Sequence, residues 1–393
     1  MSQRIVIISN YYPPEMGAAA NRIKNLAEGL QQKGNEITVI CPLPNYPKGK
    51  IFKKYSNKFC VEEFVNTIKI KRYWIFPSKS KNAFVRLISM LSFAWSLWFS
   101  VFSFLRRKPD IFIINSPPLL VALSGLLLSK LLKRKTILNV SDIWPLSALD
   151  LGVIKRGFFY SFFKKVEKTN YKLADKIIGQ SEETIIHINN IVEKSFLVYR
   201  NTPKLKEYTP KEKSKNTIKI VYAGLLGYAQ GILSICKELN FKDLDAELHI
   251  YGSGMEEEDI IEITKNQDKN IYFHGTKTAT EIKEEIRKYD VGFVPLRNEI
   301  YGAFPSKIFE LAQLGIPILY IGGGEAAKVI IEKSIGFVSK PDDFQTLKEN
   351  ILAFKNMANS DFNILVNNSI KMHKEEFHLS FQLNKFNQFI ISK

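Results

Sequence analysis

The sequence alternates short, apolar, β-rich runs with helical patterns, and this alternation limits the possible folds more than any other feature. A strand that is apolar at every position must be buried on both faces, which is typical of a parallel sheet covered by helices. The alternation occurs in two series, so it predicts an α/β protein with two tandem Rossmann-like domains facing a cleft. The predicted strands are 5–9, 37–41, 68–73, 111–115, 136–140, 176–179 and 196–199 in the first series, and 218–222, 246–251, 271–274, 291–295, 316–320 and 336–338 in the second.

A polar segment separates the two series. Residues 201–216 (NTPKLKEYTPKEKSKN) are rich in Pro and Lys and have few apolar positions, which is typical of a linker. A chain of 393 residues is also long enough for two domains at about 150 residues each. We therefore expect an N-terminal domain at 1–200, a C-terminal domain at 217–375, and a C-terminal helix at 376–393 that packs back toward the N-terminal domain.

The positive charge of the chain is concentrated in its first half. The net charge is +17, but residues 1–200 contain 31 Lys and Arg against 13 Asp and Glu, which leaves 25 against 26 for the remainder. A basic half joined to a neutral half predicts that one domain faces an anionic partner, which could be nucleic acid, anionic lipid or a phosphorylated substrate. No RNP, zinc-finger or helix-turn-helix signature accompanies the charge, so nucleic acid is disfavoured.

The cysteines and the N-terminus both indicate a cytoplasmic protein. Cys41, Cys60 and Cys236 are odd in number and far apart, so they provide neither a disulfide framework nor a metal-binding pair. The first apolar stretch is too short for the core of a signal peptide.

Three apolar segments of the basic half end in basic residues. Residues 87–105 run for 19 positions without a charge, the lower limit for a membrane span, but the α/β pattern continues on both sides and we favour a buried or interfacial helix. Residues 119–132 precede a Lys-Arg-Lys run at 133–135, and residues 155–168 interleave aromatic side chains with Lys and Arg. A helix packed on the sheet would explain each segment, but the third favours contact with an anionic membrane. The predicted membrane residues are Phe158, Phe159, Phe162, Phe163, Lys164 and Lys165.

Glycine clusters mark places where a phosphate could bind. The turn after the first strand contains Gly17 but no G-x-G-x-x-G, which disfavours a nicotinamide dehydrogenase. In the second series, glycines follow three strands. Ordinary tight turns would explain each cluster alone, but three at strand ends of one domain favour an anion-binding rim. The clusters are Gly224, Gly227 and Gly231; Gly252 and Gly254; and Gly322, Gly323 and Gly324.

The segment from Pro305 to Gly315 predicts a short helix with Pro at its start and Gly at its end. Ser306, Lys307 and Glu310 share one face of that helix. Lys307 could bind a pyrophosphate, and Glu310 could accept hydrogen bonds from two ribose hydroxyls. The alternative is an exposed Lys–Glu pair. The sequence contains no metal-binding motif or nucleophile pattern, so we expect no metal and no cofactor apart from the substrate.

These motifs together resemble a known family. The two α/β halves, NYYPPEMGAAANRI, SPPLL and VSDIWP in the first half, and YAGLLGYAQGI, YGSG, FHGT and FPSKIFELAQLGIPIL in the second are similar to a family-4 retaining glycosyltransferase of GT-B fold. The bacterial subgroup that builds O-antigen and capsule polysaccharide is the most similar.

The resemblance implies that Glu310 holds the ribose, that Lys307 holds the diphosphate and stabilises its departure, and that the loop of Gly17 reaches over the diphosphate. It also implies that Asp142 orients the acceptor hydroxyl, although a helix-capping role explains Asp142 equally well. The expected donor-binding residues are Gly17, Gly224, Gln230, Gly254, Arg297, Ser306, Lys307, Glu310 and Gly324, and the expected catalytic residues are Lys307 and Asp142.

The sequence departs from the family pattern at three positions. The wider family has two glutamates eight positions apart, and the earlier position here is Gly302. It also has Arg and Lys flanking the first glycine turn of the second domain, where this chain has Leu225 and Gln230. The bacterial subgroup often has Gln at the second position, so Gln230 fits that subgroup, whereas Leu225 removes even a polar side chain. These departures place more of the charge on Lys307, with help from Arg297.

The resemblance therefore implies a metal-independent, retaining transferase. Its expected donor is a nucleotide-diphosphate sugar, UDP-linked and carrying an N-acetylated amino sugar, and its expected acceptor is a polyprenyl-diphosphate saccharide. The expected location is peripheral, on the inner face of the bacterial plasma membrane. The alternative is a membrane-associated, glycosyltransferase-like scaffold without catalytic activity.

Overall fold

The structure, a computed structural model, describes residues 2–46, 48–78, 80, 82–200, 202, 212–265 and 267–392. The chain divides into two compact units, Met1–Asn201 with Leu379–Lys393, and Thr202–His378. Most of the predicted linker, at 201 and 203–211, lies outside the described residues.

The first unit contains an eight-stranded sheet in the order β3-β4-β2-β1-β5-β6-β7-β8. All neighbouring strands pair in parallel except β3 and β4, which are antiparallel. The strands are β1 (Arg4–Ile8), β2 (Glu36–Pro42), β3 (Cys60–Val65), β4 (Ile68–Tyr73), β5 (Ile111–Ser116), β6 (Lys135–Val140), β7 (Lys176–Gly179) and β8 (Ser195–Val198).

Helices cover both faces of this sheet. The α-helices are α1 (Ala18–Gln32), α2 (Ala83–Ser96), α3 (Val101–Phe104), α4 (Leu119–Leu131), α5 (Leu146–Asp150), α6 (Phe158–Leu173) and α7 (Glu182–Asn189), with 3₁₀ turns at Lys53–Tyr55 and Leu97–Ser100. Side chains of a strand alternate between faces, and in β1 Val6 and Ile8 enter one buried cluster while Ile5 and Ile7 enter another. The predicted burial of these strands on both faces is therefore confirmed for β1.

The prediction missed one strand, β3, at the edge of the sheet. Its side chains are mostly exposed, so its sequence has no buried apolar run. Its two glutamates pair instead with cations of β4. Glu62 lies 2.6 Å from Lys69 and 3.0 Å from Lys71, and Glu63 lies 2.6 Å from the buried Arg72. Because this edge strand is held by ion pairs and not by burial, its sequence lacks the apolar pattern that predicts a strand.

The second unit contains a six-stranded, wholly parallel sheet in the order β11-β10-β9-β12-β13-β14. Its strands are β9 (Ile218–Leu225), β10 (Ala246–Ser253), β11 (Ile271–Phe273), β12 (Val291–Pro295), β13 (Ile318–Ile321) and β14 (Gly336–Ser339). Its helices are α8 (Ile232–Glu238), α9 (Glu257–Thr264), α10 (Ala279–Ile286), α11 (Ser306–Gln313), α12 (Gly324–Glu332), α13 (Phe344–Asn356) and α14 (Asn359–Met372), with 3₁₀ turns at Lys242–Leu244 and Gln267–Lys269 and a π-helical turn at His373–Phe377.

The last helix, α15 (Leu379–Ile391), belongs to the first unit. Leu383 of α15 packs so closely on α1 that a Cβ at Gly29 would collide with its side chain. At the other end of α15, the Nζ atom of Lys176 donates hydrogen bonds to the carbonyl oxygens of Phe389 at 2.7 Å and Ser392 at 2.5 Å. These carbonyls lie at the negative end of the helix, where a cation is favourable.

We expect Gly29→Ala to destabilise the first unit. The added methyl group meets the buried Leu383, and overpacking of this kind costs about 1–3 kcal/mol, more than the helix propensity that Ala adds. Chemical denaturation measures the change. Gly157→Ala is the control, because nothing lies within 4 Å of a Cβ there. In a Leu383→Ala background the same Gly29 substitution should cost less, and an equal cost in both backgrounds would contradict the proposed contact.

Candidate functional site

The glycine turns of the second unit lie at the carboxyl ends of its strands. Gly224 at the end of β9 is paired with Gly252 at the end of β10. A Cβ at Gly252 would collide with the carbonyl group of Gly224, and a Cβ at Gly254 would collide with that of Leu226. The close approach of the two turns therefore accounts for these glycines, whether or not an anion binds there.

Helix α11 begins directly after Pro305, and Gly315 follows its last turn with a φ of +65°. This placement confirms the predicted short helix. Ser306 is exposed at its first position and does not line the cavity described next. Lys307 and Glu310 lie one turn apart and line the same cavity of about 110 Å³, together with Lys283 of α10 and apolar side chains of β9, β12 and α10.

Lys307 extends from α11 to the end of β9. Its Nζ atom donates a hydrogen bond to the carbonyl oxygen of Ala223 and lies 4.4 Å from the centre of the Tyr222 ring. A side chain at Gly224 would occupy the position of this ammonium group, so the glycine makes room for the lysine. The structure thus places Gly224 and Lys307, two of the predicted donor-binding residues, in direct contact.

Burial controls the protonation of both charged residues. Burial lowers the pKa of Lys307 to about 8, and the negative charge of Glu310 partly opposes this shift. Burial raises the pKa of Glu310, against the effects of Lys307 and Lys283. The pair is therefore a partly buried cation with a carboxylate neighbour that favours its charged form, and the predicted alternative of an exposed Lys–Glu pair is wrong.

Gln230 and Arg297 line one cavity beside Gly231, at the start of α8. Gly231 has a φ of +68°, and a Cβ there would come within 3.4 Å of the Cβ of Arg297. The Arg297 guanidinium group stacks over the Tyr228 ring at 4.0 Å, and its backbone N–H donates to the Ala229 carbonyl at 2.9 Å. The Oε1 atom of Gln230 is buried, and no described residue donates a hydrogen bond to it. This oxygen is therefore available for a hydrogen-bond donor of a ligand.

A carboxylate that was not predicted from the sequence lies beside the third glycine turn. Gly324 has a φ of +68° and begins α12. Glu299, in the loop after β12, lies directly against Gly323, so that a Cβ at Gly323 would collide with its carboxylate. Glu299 lies only three positions before Gly302, where the family pattern expects a carboxylate. The spacing of residues in the sequence does not indicate a role for Glu299, because its contact with Gly323 joins two different loops.

In the first unit, a buried glutamate holds the loop of Gly17. Gly17 has a φ of +135° and caps the start of α1, where its carbonyl accepts the Asn21 N–H at 3.1 Å. Glu15 accepts hydrogen bonds from the backbone N–H groups of Asn45 at 2.8 Å and Tyr46 at 2.9 Å. Burial raises the pKa of Glu15, and these N–H groups oppose the shift. Gly17 was predicted from the sequence, whereas Glu15, which fixes its loop, was not.

Asp142 lies just beyond the carboxyl end of β6, where Arg22 of α1 is its cationic neighbour. Asp142 keeps accessible surface, but the protein around its carboxyl group raises its pKa, while Ser147, the Ile143 N–H and Arg22 lower it. Burial lowers the pKa of Arg22, against the charge of Asp142. The Nε atom of Arg22 is buried and has no hydrogen-bond acceptor among the described residues. Arg22 is, after Glu299 and Glu15, a third residue that was not predicted from the sequence.

The predicted membrane residues of α6 divide into two groups. Phe158, Phe159 and Phe162 are 82%, 59% and 42% exposed, and Lys164 and Lys165 are also exposed. Phe163 is buried and packs edge-on against Trp144 at 4.5 Å. The assignment of Phe163 to the membrane surface is therefore wrong, because this residue lies on the inner face of the helix.

The apolar segment at 87–105 is also two-sided. It forms part of a helical stretch, Phe84–Phe104, that is long and apolar enough to cross a membrane by length and composition, with a mean hydropathy of 1.6. Phe93 and Leu97 are buried in the core, whereas Trp95 and Phe102 are 56% and 68% exposed. Trp95 and Phe99 also contact the exposed Phe59 edge-on, at 6.1 and 4.9 Å. One face of the segment thus packs on the sheet and the other presents aromatic rings.

Comparison with known proteins identifies the family. Residues 17–188 match the model of the glycosyl transferase 4-like domain, and residues 205–371 match the model of glycosyl transferases group 1. The chain is a glycosyltransferase of GT-B type. WbjE of Pseudomonas aeruginosa, described as a probable glycosyltransferase, is 23% identical over 86% of each chain. WcaI of Escherichia coli (strain K12), described as a colanic acid biosynthesis glycosyl transferase, is 30% identical, but that match spans only 39% of this glycosyltransferase and 38% of WcaI.

Solved structures support the same fold. Sucrose-phosphate synthase from Thermosynechococcus elongatus aligns over 99% of the glycosyltransferase and 98% of its own chain, with a TM-score of 0.74 and 14% identity. Alr3699/HepE from Anabaena, solved in complex with UDP, aligns over 98% and 99%, with a TM-score of 0.69 and 12% identity. At these identities the likeness establishes the fold alone.

We expect Glu310→Gln to lower the pKa of Lys307 below its value of about 8. The substitution removes the negative charge that opposes the desolvation of the ammonium group, and loss of such a neighbour shifts a pKa by about one unit or more. NMR titration of ¹³C-labelled lysine measures the pKa, with the signal assigned by its loss in Lys307→Arg. Glu299→Gln is the control that should leave the titration unchanged. An unchanged or raised pKa in Glu310→Gln would show that the two side chains are not coupled.

Proposed function

We propose that the glycosyltransferase transfers a sugar from a UDP-linked donor to a polyprenyl-diphosphate saccharide, with retention of configuration. The proposed sugar is an N-acetylated amino sugar, and the proposed process is the synthesis of a bacterial surface polysaccharide such as O-antigen or capsule. The observation that carries the proposal is the partly buried Lys307–Glu310 pair that lines one cavity at the carboxyl end of β9. UDP bound to Alr3699/HepE and the description of WcaI as a colanic acid enzyme support it.

The second unit supplies a binding group for each part of the proposed donor. A carboxylate can accept hydrogen bonds from two ribose hydroxyls at once, and Glu310 lies in the cavity wall where it could do so. Lys307 places a positive charge beside the glycine turn at Gly224, where a diphosphate could approach the backbone. Arg297, and Gln230 through its side-chain amide N–H, would then donate to the remaining phosphate oxygens, in place of the cationic pair that the wider family has at Leu225 and Gln230.

The proposed reaction needs no protein nucleophile and no metal. The acceptor hydroxyl oxygen forms a bond to the anomeric carbon on the face from which the diphosphate leaves, and the departing phosphate oxygen takes the hydroxyl proton. Charge therefore accumulates on the diphosphate, and a fixed cation in a site with little water stabilises it. Lys307 is the catalytic residue in this scheme, and Asp142 orients the acceptor hydroxyl.

The basic and aromatic surface of the first unit supports a peripheral location on the inner face of the plasma membrane. Aromatic rings exposed beside lysines are typical of contact with an anionic bilayer. The exposed face of α6 has this character. Helix α2 adds the exposed rings of Phe84 and Trp95, without a neighbouring lysine in the helix. A polyprenyl-linked acceptor is itself held in the membrane, so attachment would bring enzyme and acceptor together.

Lys307 and Glu310 should act on different steps. Lys307→Gln keeps a hydrogen-bonding group but removes the charge that stabilises the departing diphosphate, so kcat should fall at least about a hundredfold while donor KM changes only a few-fold. Glu310→Ala removes a ground-state contact to the ribose, which should weaken UDP binding by more than about tenfold. Steady-state kinetics with a panel of nucleotide sugars and calorimetry with UDP measure the two effects.

Ser306 was predicted to bind the donor, but it is exposed and lies outside the cavity, so Ser306→Ala serves as the matched control on α11. Near-native turnover of Lys307→Gln would mean that the diphosphate is held elsewhere. UDP binding without any transfer or hydrolysis by the wild-type protein would favour the non-catalytic scaffold instead.

Replacing Lys164, Lys165 and Lys168 with Gln should move the protein from anionic vesicles to the soluble fraction. Each lysine near an anionic surface contributes about 1 kcal/mol, and salt screens this attraction. Sedimentation with phosphatidylglycerol-containing vesicles at low and high salt measures the binding. The control replaces three exposed lysines of the second unit, Lys277, Lys340 and Lys371, with Gln. Equal sedimentation of wild-type protein with neutral and anionic vesicles would rule out the proposed charge attraction.

A further inference from the structure

A second basic site lies in the first unit, at the opposite edge of its sheet from Asp142. It is a cavity of about 580 Å³ whose floor includes the first residues of four neighbouring strands, Ile111 of β5, Lys135 of β6, Lys176 of β7 and Ser195 of β8. Asp142 follows the carboxyl end of β6, so the length of that strand separates the two places. The cavity therefore shares no residue with the candidate catalytic machinery.

Positive charge dominates the wall of this cavity. Lys130, Lys133, Arg134, Lys135 and Lys176 line it, and Asp175 is the one acidic residue among the lining residues. Asp175 is already engaged, because it lies 2.7 Å from the Nζ atom of Lys130 and accepts hydrogen bonds from the backbone N–H and hydroxyl of Thr136, each at 2.8 Å. The remaining four cations have no carboxylate partner in the cavity.

Two observations favour the binding of an anion in this cavity. The Nε atom of Arg134 is buried, and no residue in the described part of the chain accepts a hydrogen bond from it. Lys176 and Lys135 are close enough to repel each other, so that burial first and the charge of Lys135 second lower the pKa of Lys176. A buried donor without an acceptor and two like charges at close range are both unfavourable, and one bound anion would relieve both.

We propose that this cavity binds a phosphate group carried on a larger, partly apolar body. Phosphate suits the site because it presents several acceptor oxygens to an arginine fork and to neighbouring lysines. The cavity is far larger than one phosphate group, and Ile111, Ile137 and Ile390 contribute an apolar lining. A soluble sugar phosphate and the headgroup of an anionic phospholipid share this chemistry. The Lys-Arg-Lys run at the end of α4 thus has a role that neither the donor nor the membrane surface of α6 requires.

The bound ligand would also stabilise the C-terminal helix. Ile390 of α15 lines the cavity, and Lys176 contributes to the cavity wall while it holds the last carbonyls of α15. An anion beside Lys176 would oppose the effect of Lys135 and so favour the ammonium form that donates to those carbonyls. Ligand binding and the docking of α15 are therefore coupled in this proposal.

The test uses the full-length protein and a triple variant, Lys133→Gln, Arg134→Gln and Lys135→Gln. Inorganic pyrophosphate is the soluble probe, titrated by calorimetry at low salt in excess UDP so that the donor site does not contribute. Vesicles of phosphatidylcholine with and without phosphatidylglycerol are the lipid probe. The control is the second-unit triple variant at Lys277, Lys340 and Lys371, which removes the same charge elsewhere. Thermal unfolding without ligand checks that each variant folds, and Arg134→Gln alone serves if the triple variant does not.

We expect the triple variant, but not the control, to bind pyrophosphate at least about tenfold more weakly, since each 1.4 kcal/mol of lost interaction is tenfold in affinity. That result would support a soluble phosphate ligand. A loss confined to phosphatidylglycerol vesicles would support a lipid headgroup. If the triple variant matches the control with both probes, the proposal is overturned. None of these outcomes depends on donor binding, because Lys307→Gln and Glu310→Ala test the proposed transferase function separately.

Discussion

Parallel pairing brings the carboxyl ends of neighbouring strands to the same edge of a sheet, and the candidate donor site depends on this constraint. Gly224 and Gly252 lie opposite each other at the ends of β9 and β10, and their turns approach so closely that a side chain at Gly252 would collide with backbone. Lys307 reaches that edge from α11 only because Gly224 leaves room for its ammonium group. The glycines and the lysine are therefore parts of one packing arrangement, in which the backbone geometry sets where the charge can lie.

The placement of that charge explains how a site can be built without a family-typical cationic pair. Burial makes the ammonium group of Lys307 costly, as its lowered pKa shows, and Glu310 compensates only in part. A cation held with incomplete compensation interacts strongly with an incoming anion, because the surrounding protein screens less than water. Leu225, which is 66% exposed, adds no charge, whereas Gln230 and Arg297 add polar groups at the neighbouring turn. In this proposal one partly buried cation, Lys307, does the work of the cationic pair that the wider family has.

The sequence predicted those features that repeat along the chain at a fixed spacing. Runs of buried β-branched residues predicted the inner strands, and the spacing of Lys307 and Glu310 predicted that they share a face of α11. Features made by contacts between distant segments were missed. Glu15 binds N–H groups about thirty positions away, Arg22 acts on Asp142 from another element, and Glu299 meets Gly323 across two loops. Phe163 was misassigned for a related reason, since the aromatic composition of α6 does not distinguish its buried face from its exposed face.

The distribution of basic residues shows why net charge alone could not identify a partner. The excess positive charge of the first half supplies at least two separate places, the exposed face of α6 with Lys164 and Lys165, and the cavity at the amino edge of the sheet with Arg134 and Lys176. Charge on an exposed helix face is screened by water and salt, and it attracts a broad, flat partner surface. Charge that lines a cavity is partly desolvated and acts on one small group at short range. The same residue types would therefore act on a membrane surface at one proposed site and on a discrete phosphate at the other, and their places in the fold separate the two.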